Sequence, residues 1–165
     1  MKRRKIRGLC IIFLVAFCLI ASSCELPGNI IQGSSEVDFG APQRVQITFN
    51  EHIYDTTIVL KDKRLEINLT NEKDLLNGAY ICLTNSSYKI TYKNMAFEGD
   101  IAELSSSFLP CVVKAFLHSF EGEIILDSYD KVRQCYYVKK NINGYFVALE
   151  CYEYNDNKFY SMEIK

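Results

Sequence analysis

The sequence has no tryptophan and only two histidines, and it contains no glycine-rich phosphate loop and no C-x-x-C pair. Each absence removes a chemistry. His52 and His118 stand far apart and outside any H-x-x-x-H or H-E-x-x-H context, so no zinc-protease pattern is present. Without C-x-x-C spacing there is neither a zinc ribbon nor a thioredoxin-type redox pair. Nucleotide binding lacks its phosphate cradle, and calcium lacks a D-x-D-x-D-G loop. Beyond its basic N-terminus the chain has an excess of acidic residues, which argues against nucleic acid.

That N-terminus is the sharpest feature present. Lys2, Arg3, Arg4, Lys5 and Arg7 precede an apolar run from Leu9 to Ile20, followed by Ala21-Ser22-Ser23-Cys24. The cations hold the cytoplasmic side while the apolar run enters the membrane, and small residues then admit a peptidase. The run is twelve residues long, short of the roughly 20 needed to span a bilayer, so cleavage is expected over anchoring. The segment resembles a bacterial lipoprotein signal, residues 1–23, with Ser22, Ser23 and Cys24 in the matching positions and Ala21 where leucine is commoner. That resemblance implies a diacylglycerol on the Cys24 sulfur and a membrane-held protein on the outer side of the cytoplasmic membrane; a plain secretory signal is the alternative. Two acyl chains anchor stably where one does not.

Removing the signal takes away five of the nineteen Lys and Arg residues and none of the twenty acidic ones, leaving fourteen against twenty, a balance of −6. Such a domain has no electrostatic reason to adhere to anionic lipid. Its attachment must be the lipid on Cys24. Residues 24–37, with Pro27, Gly28, Gly33, Ser34 and Ser35, read as a flexible tether, and residues 38–165 as one β-rich domain large enough for a real core.

Beyond Val37 the dominant period is two. Val45, Ile47 and Phe49 alternate with Arg44, Gln46, Thr48 and Asn50, and Leu65, Ile67 and Leu69 with Glu66, Asn68 and Thr70. Half-buried antiparallel strands have this pattern. One segment breaks it: Phe108, Leu109, Val112, Val113, Phe116, Leu117 and Phe120 line one face of a helix over residues 107–120. Ser105, Ser106 and Ser107 offer N-cap oxygens, and Pro110 fits only a first turn. The expected fold is mainly β (α+β), a curved antiparallel sheet or half-barrel of about 8–9 strands with the helix on its concave face. This order of strands, helix and strands, with a short lead-in at residues 100–104, resembles the LolA/LolB-like half-barrel family. The resemblance rests on element order across residues 37–165 and implies a plugged, incomplete barrel; the family's usual N-terminal helix is not evident.

Candidate chemistry is thin. Cys82, Cys111, Cys135 and Cys151 remain after Cys24, and all four can serve as small buried hydrophobes. A hairpin turning at Asn143-Gly144 brings Cys135 opposite residue 151 or 152; the first register permits a Cys135–Cys151 disulfide and the second puts Tyr152 there. Cys111 and His118 are two helical turns apart, about 10 Å, too far for a catalytic dyad. The acidic pairs Glu121 with Glu123 and Asp127 with Asp130 read as solvated surface. Tyrosines line the strands, with Tyr88 and Tyr92 on one side of their strand and Tyr152 with Tyr154 on one side of theirs, as packing pairs or as a binding face.

The resulting expectation is a noncatalytic, lipid-anchored envelope protein, with no cofactor or metal, binding a protein partner or an apolar ligand. Phe108, Val112 and Phe116 are the candidate groove residues, against their alternative as plain core. An immunity or inhibitor-type lipoprotein shares every one of these features, and a carboxylate-based envelope glycan enzyme would require two acidic groups in one cleft.

Overall fold

Alternation determines which side of each strand meets the core, and the computed structural model describes that arrangement for residues 34–70, 76–120, 123–155 and 157–165. The signal, Cys24, the tether to residue 33 and Glu121 lie outside the described residues. In chain order the strands are β1 (Ser35–Val37), β2 (Gln43–Phe49), β3 (His52–Lys61), β4 (Arg64–Leu69), β5 (Tyr80–Leu83), β6 (Ser87–Tyr92) and β7 (Met95–Asp100). A short 3-10 turn (Ile101–Glu103) leads towards helix α1 (Leu109–His118), and β8 (Ile124–Leu126), β9 (Ser128–Asp130), β10 (Cys135–Ile142), β11 (Tyr145–Tyr154) and β12 (Asn157–Ile164) follow.

Ten strands form one sheet in the order β7-β6-β5-β4-β3-β2-β12-β11-β10-β9, while β1 and β8 form a separate two-stranded sheet. The large sheet is two antiparallel meanders joined at a parallel seam, where β12 runs beside β2 with Tyr160 against Val45 and Ile164 against Phe49. A purely antiparallel sheet is therefore corrected at this one pair. The sheet has two edges, β7 and β9, and is not closed into a barrel. Tight turns with left-handed residues fix the hairpins: Asn50-Glu51, Asp62-Lys63 and Asn143-Gly144 all have positive φ, as two-residue hairpin loops demand.

The expected tether stops short of residue 37. Ser35 and Val37 are buried, and β1 pairs antiparallel with β8 from Ser35↔Leu126 to Val37↔Ile124. The Ser35 hydroxyl is held by three neighbours, lying 3.1 Å from Lys158 Nζ, 3.2 Å from Glu153 Oε1 and 3.6 Å from Cys151 Sγ. Strand β1 is thus fastened to β11 and β12.

One face of the large sheet is covered. Val45, Ile47, Ile58, Leu65, Ile67, Leu83, Val147, Leu149, Cys151 and Met162 pack there with Val37, Leu126 and the apolar stripe of α1. The helix starts where Pro110 needs no N–H partner. The serines do not cap it: Ser105 and Ser107 bond each other at 2.6 Å, and Phe108 holds the N-cap position with no side-chain hydrogen bond. Tertiary packing makes this helix. Val112, Val113 and Phe116 are fully buried, and burying a side chain of Phe116's size stabilises by about 1.5–3 kcal/mol. No helix among the described residues is long and apolar enough to cross a membrane.

The other face is open and polar, with two ionic clusters of like composition. Towards the β7 edge, Arg64 lies 2.9 Å from Glu66 and donates to the Tyr80 hydroxyl at 3.1 Å, on the face that also carries Cys82. Towards the β9 edge, Arg133 pairs with Glu150, which also accepts from Tyr152 at 2.7 Å beside Cys135.

Candidate functional site

The covered face is not filled along its whole length. At the N-terminal end of α1 a groove of about 300 Å³ remains between the helix and the sheet. Ile47 and Phe49 come from β2, Tyr54 from β3, Ile67 from β4 and Ile81 from β5, because period-two alternation turns all of them towards the helix. Phe108 closes one wall from the N-cap, with Leu109 and Pro110 behind it. The buried hydroxyl on the wall, Thr56, already donates to the Val45 carbonyl at 2.7 Å, so it offers no free proton to a ligand. At the mouth, the Ser107 hydroxyl is occupied by Ser105. The result is an apolar recess at the small end of the size range of ligand sites.

Of the three groove residues expected from the sequence, Phe108 alone lines the recess. Val112 and Phe116 are 0 % exposed and belong to the core: they lie one and two turns further along the helix, outside the recess. Phe116 instead packs edge-on against Phe120, with centroids 5.1 Å apart. The remaining lining residues are strand positions whose inward direction is plain from alternation. Their neighbourhood is not, because it depends on which strands the N-terminal end of α1 leaves uncovered.

Cys135 and Cys151 occupy different faces. The two-residue loop Asn143-Gly144 closes the pair Ile142↔Tyr145, and counting back from it puts Tyr152 opposite Cys135 and Tyr136 opposite Cys151. Cys151 therefore points into the core and Cys135 to the open face, and all four described cysteines are free thiols. Burial raises the pKa of the Cys111, Cys135 and Cys151 thiols, opposite to the change that activates a nucleophile. His118 sits at the exposed end of α1, its pKa lowered by partial burial and by Lys114. Lys114 is itself largely buried and donates to the Thr84 carbonyl and, at 3.4 Å, to Asn85.

The acidic pairs do not converge on a cleft. Asp130 accepts the Val132 and Arg133 backbone N–H groups at 2.8 and 3.0 Å, and this lowers its pKa, while Asp127 accepts from Ser128. Glu123 is paired with Glu36 across the β1–β8 sheet, and that contact raises its pKa. Among the described residues no three His, Cys, Asp or Glu side chains come together as a metal set. The tyrosines divide between the faces as alternation requires: Tyr88 and Tyr92 lie on the helix side, Tyr152 and Tyr154 on the open side. Tyr129 with Tyr136 and Phe49 with Tyr145 are ring pairs at 5.0 and 5.9 Å. No protein-family model matches this chain, and no curated protein or solved structure matches it.

Proposed function

We propose that this protein is a noncatalytic bacterial envelope lipoprotein, held by lipid on Cys24, whose domain takes an apolar ligand or the apolar side chain of a protein partner into the groove beside Phe108. The observation that carries the reading is the recess of about 300 Å³, walled mostly by apolar side chains, with the Thr56 and Ser107 hydroxyls already bonded within the protein. No residue lining it pairs a nucleophile with a base. The half-barrel reading is supported by the reach of α1: it touches both β5 and β10, six strand steps apart. A flat sheet would separate those strands by about 29 Å at ~4.8 Å per step, more than either the width of a helix, about 10–12 Å, or the length of this ten-residue one, about 15 Å. An inward bend brings both within reach. The likeness to LolA/LolB-like half-barrels belongs to this proposal and rests on element order.

The protein purified from its native membrane is expected to carry a diacylglycerol on Cys24 by mass spectrometry, and to bind the apolar fluorophore N-phenylnaphthylamine. Ile81→Trp, which fills the recess, should abolish the fluorescence rise while leaving the fold intact by circular dichroism. A wild-type protein that leaves the fluorophore dark would overturn the groove, and an unmodified Cys24 would overturn the anchor.

A further inference from the structure

The open face of the sheet carries a second recess, polar where the first is mostly apolar. It has a volume of about 460 Å³ and spans the parallel seam, lined by Arg44 and Gln46 of β2, Asp55 and Thr57 of β3, Thr70 just past β4, and Phe159 of β12. Neighbouring positions fix this set: Arg44 lies opposite Thr57, Gln46 opposite Asp55, and Phe159 precedes the Tyr160↔Val45 pair of the seam.

Its polar groups are arranged for a polyhydroxylated ligand. Gln46 Nε2 donates to Asp55 Oδ1 at 2.9 Å, which orients both side chains; among the described residues the second carboxylate oxygen and the Gln46 carbonyl have no hydrogen-bond partner. The Thr70 N–H and hydroxyl both donate to the Asp55 backbone carbonyl, at 2.8 and 3.2 Å, and so fix the rim. Arg44 is exposed and brings its guanidinium donors to the recess, and among the described residues it makes no hydrogen bond or ion pair. Each hydroxyl of a sugar both donates and accepts, and a fixed carboxylate–amide pair in one recess with an exposed guanidinium answers both needs.

The wall of the recess supplies the other half of sugar recognition. Phe159 is 47 % exposed and is flanked on the β11 side by its cross-strand partner Tyr152, ring centroids 6.3 Å apart. An aromatic face carries negative charge density and attracts the polarised C–H bonds on the flat face of a pyranose. A large half-exposed ring beside a charged acceptor and a charged donor is a poor arrangement for an apolar ligand and a suitable one for a ring that is apolar on its face and polar at its rim.

We infer that this recess is a saccharide-binding site, in which Phe159 stacks on a pyranose while Asp55, Gln46 and Arg44 bond its hydroxyls. It is separate from the apolar groove, which opens on the opposite face. The full mature chain is to be titrated by calorimetry with three soluble probes: the tetramer of N-acetylglucosamine, cellotetraose and an oligogalacturonate. Binding of at least one is expected, with affinity falling about ten-fold in Asp55→Asn and in Arg44→Ala, the loss that accompanies a charge-assisted hydrogen bond left unmade. Phe159→Ala should abolish it, and Ile81→Trp in the other groove should leave it unchanged. Arg44 is exposed and its replacement cannot unfold the sheet, so that variant keeps the test decisive. Absence of binding to all three probes would overturn the site, as would binding that survives both Phe159→Ala and Arg44→Ala.

Discussion

The two wings of the sheet each carry an Arg, a Glu, a Tyr and a Cys on the open face, and the two sets behave differently. In the wing towards β7, Arg64 and Glu66 have side chains 53 % and 32 % exposed, and Tyr80 accepts a hydrogen bond from the guanidinium. In the wing towards β9, Arg133 is equally exposed, but the Glu150 side chain is only 9 % exposed and Tyr152 donates to it. The first Glu is a hydrated partner in a surface pair. The second is a nearly dry carboxylate that depends on two donors. Residue types are the same and both carboxylates stand on inner strands, so the difference lies in what covers them: Glu66 lies between Val59 and Cys82, while Glu150 lies between Tyr137 and Ser161 with the Tyr152 hydroxyl bonded to it. Burial, and not composition, decides which ion pair matters to stability.

The largest separation between the wings should come from removing the carboxylates. Glu150→Ala leaves both Arg133 and Tyr152 without their acceptor and is expected to cost about 2 kcal/mol in urea unfolding. This is less than the ~3–5 kcal/mol of a wholly buried pair, because exposed Arg133 can take up water. A smaller effect is expected for Tyr152→Phe, about 1 kcal/mol for one hydrogen bond to a charged group. The same variant tests pH dependence. Burial first, and then Glu150, push the Tyr152 pKa well above its usual 10.0. The folded state thus favours the neutral phenol, and its contribution is complete below pH 10 and lost as pH rises from there towards the folded pKa. Wild-type stability should fall over that alkaline range more steeply than that of Tyr152→Phe. Smallest of all, Glu66→Ala should cost less than about 0.5 kcal/mol, and salt should erase even that. Equal losses from Glu66→Ala and Glu150→Ala would break the comparison.

Much of the covered face is legible in the amino-acid order. Val45, Ile47, Leu65 and Ile67 declare it by alternation, and the stripe from Phe108 to Phe120 declares a helix lying on it. Local periodicity reports direction well, because it is set by backbone geometry alone. It says nothing about which distant strand becomes a neighbour. The β2–β12 seam joins the two ends of the domain, and the β1–β8 pair joins segments nearly ninety residues apart; neither leaves a local trace. Edge strand β7 is hard to read for a different reason, since Met95 and Phe97 alternate correctly but remain half exposed. The Cys135 register is an intermediate case: the two-residue Asn143-Gly144 loop is visible, and a loop of that length admits only the pairing with Tyr152. Of the candidate site, Phe108 is visible and its partners are not. The apolar groove needs the N-terminal end of α1 to settle over β2–β5, and the polar recess needs Phe159 to arrive across the seam; neither meeting is local in sequence.

The parallel seam also governs when the molecule can become itself. Val45 finds Tyr160 only after nearly the whole domain has been delivered, and β12 must slip between β2 and β11 to join the two meanders. Contacts so remote in sequence are slow to form, since the chain must close a long loop before any pairing rewards it. A polypeptide threaded through a membrane from its N-terminus, as the proposed export signal requires, therefore arrives with its central strand last. Until then it stays unlocked, which is the state a narrow translocation channel admits.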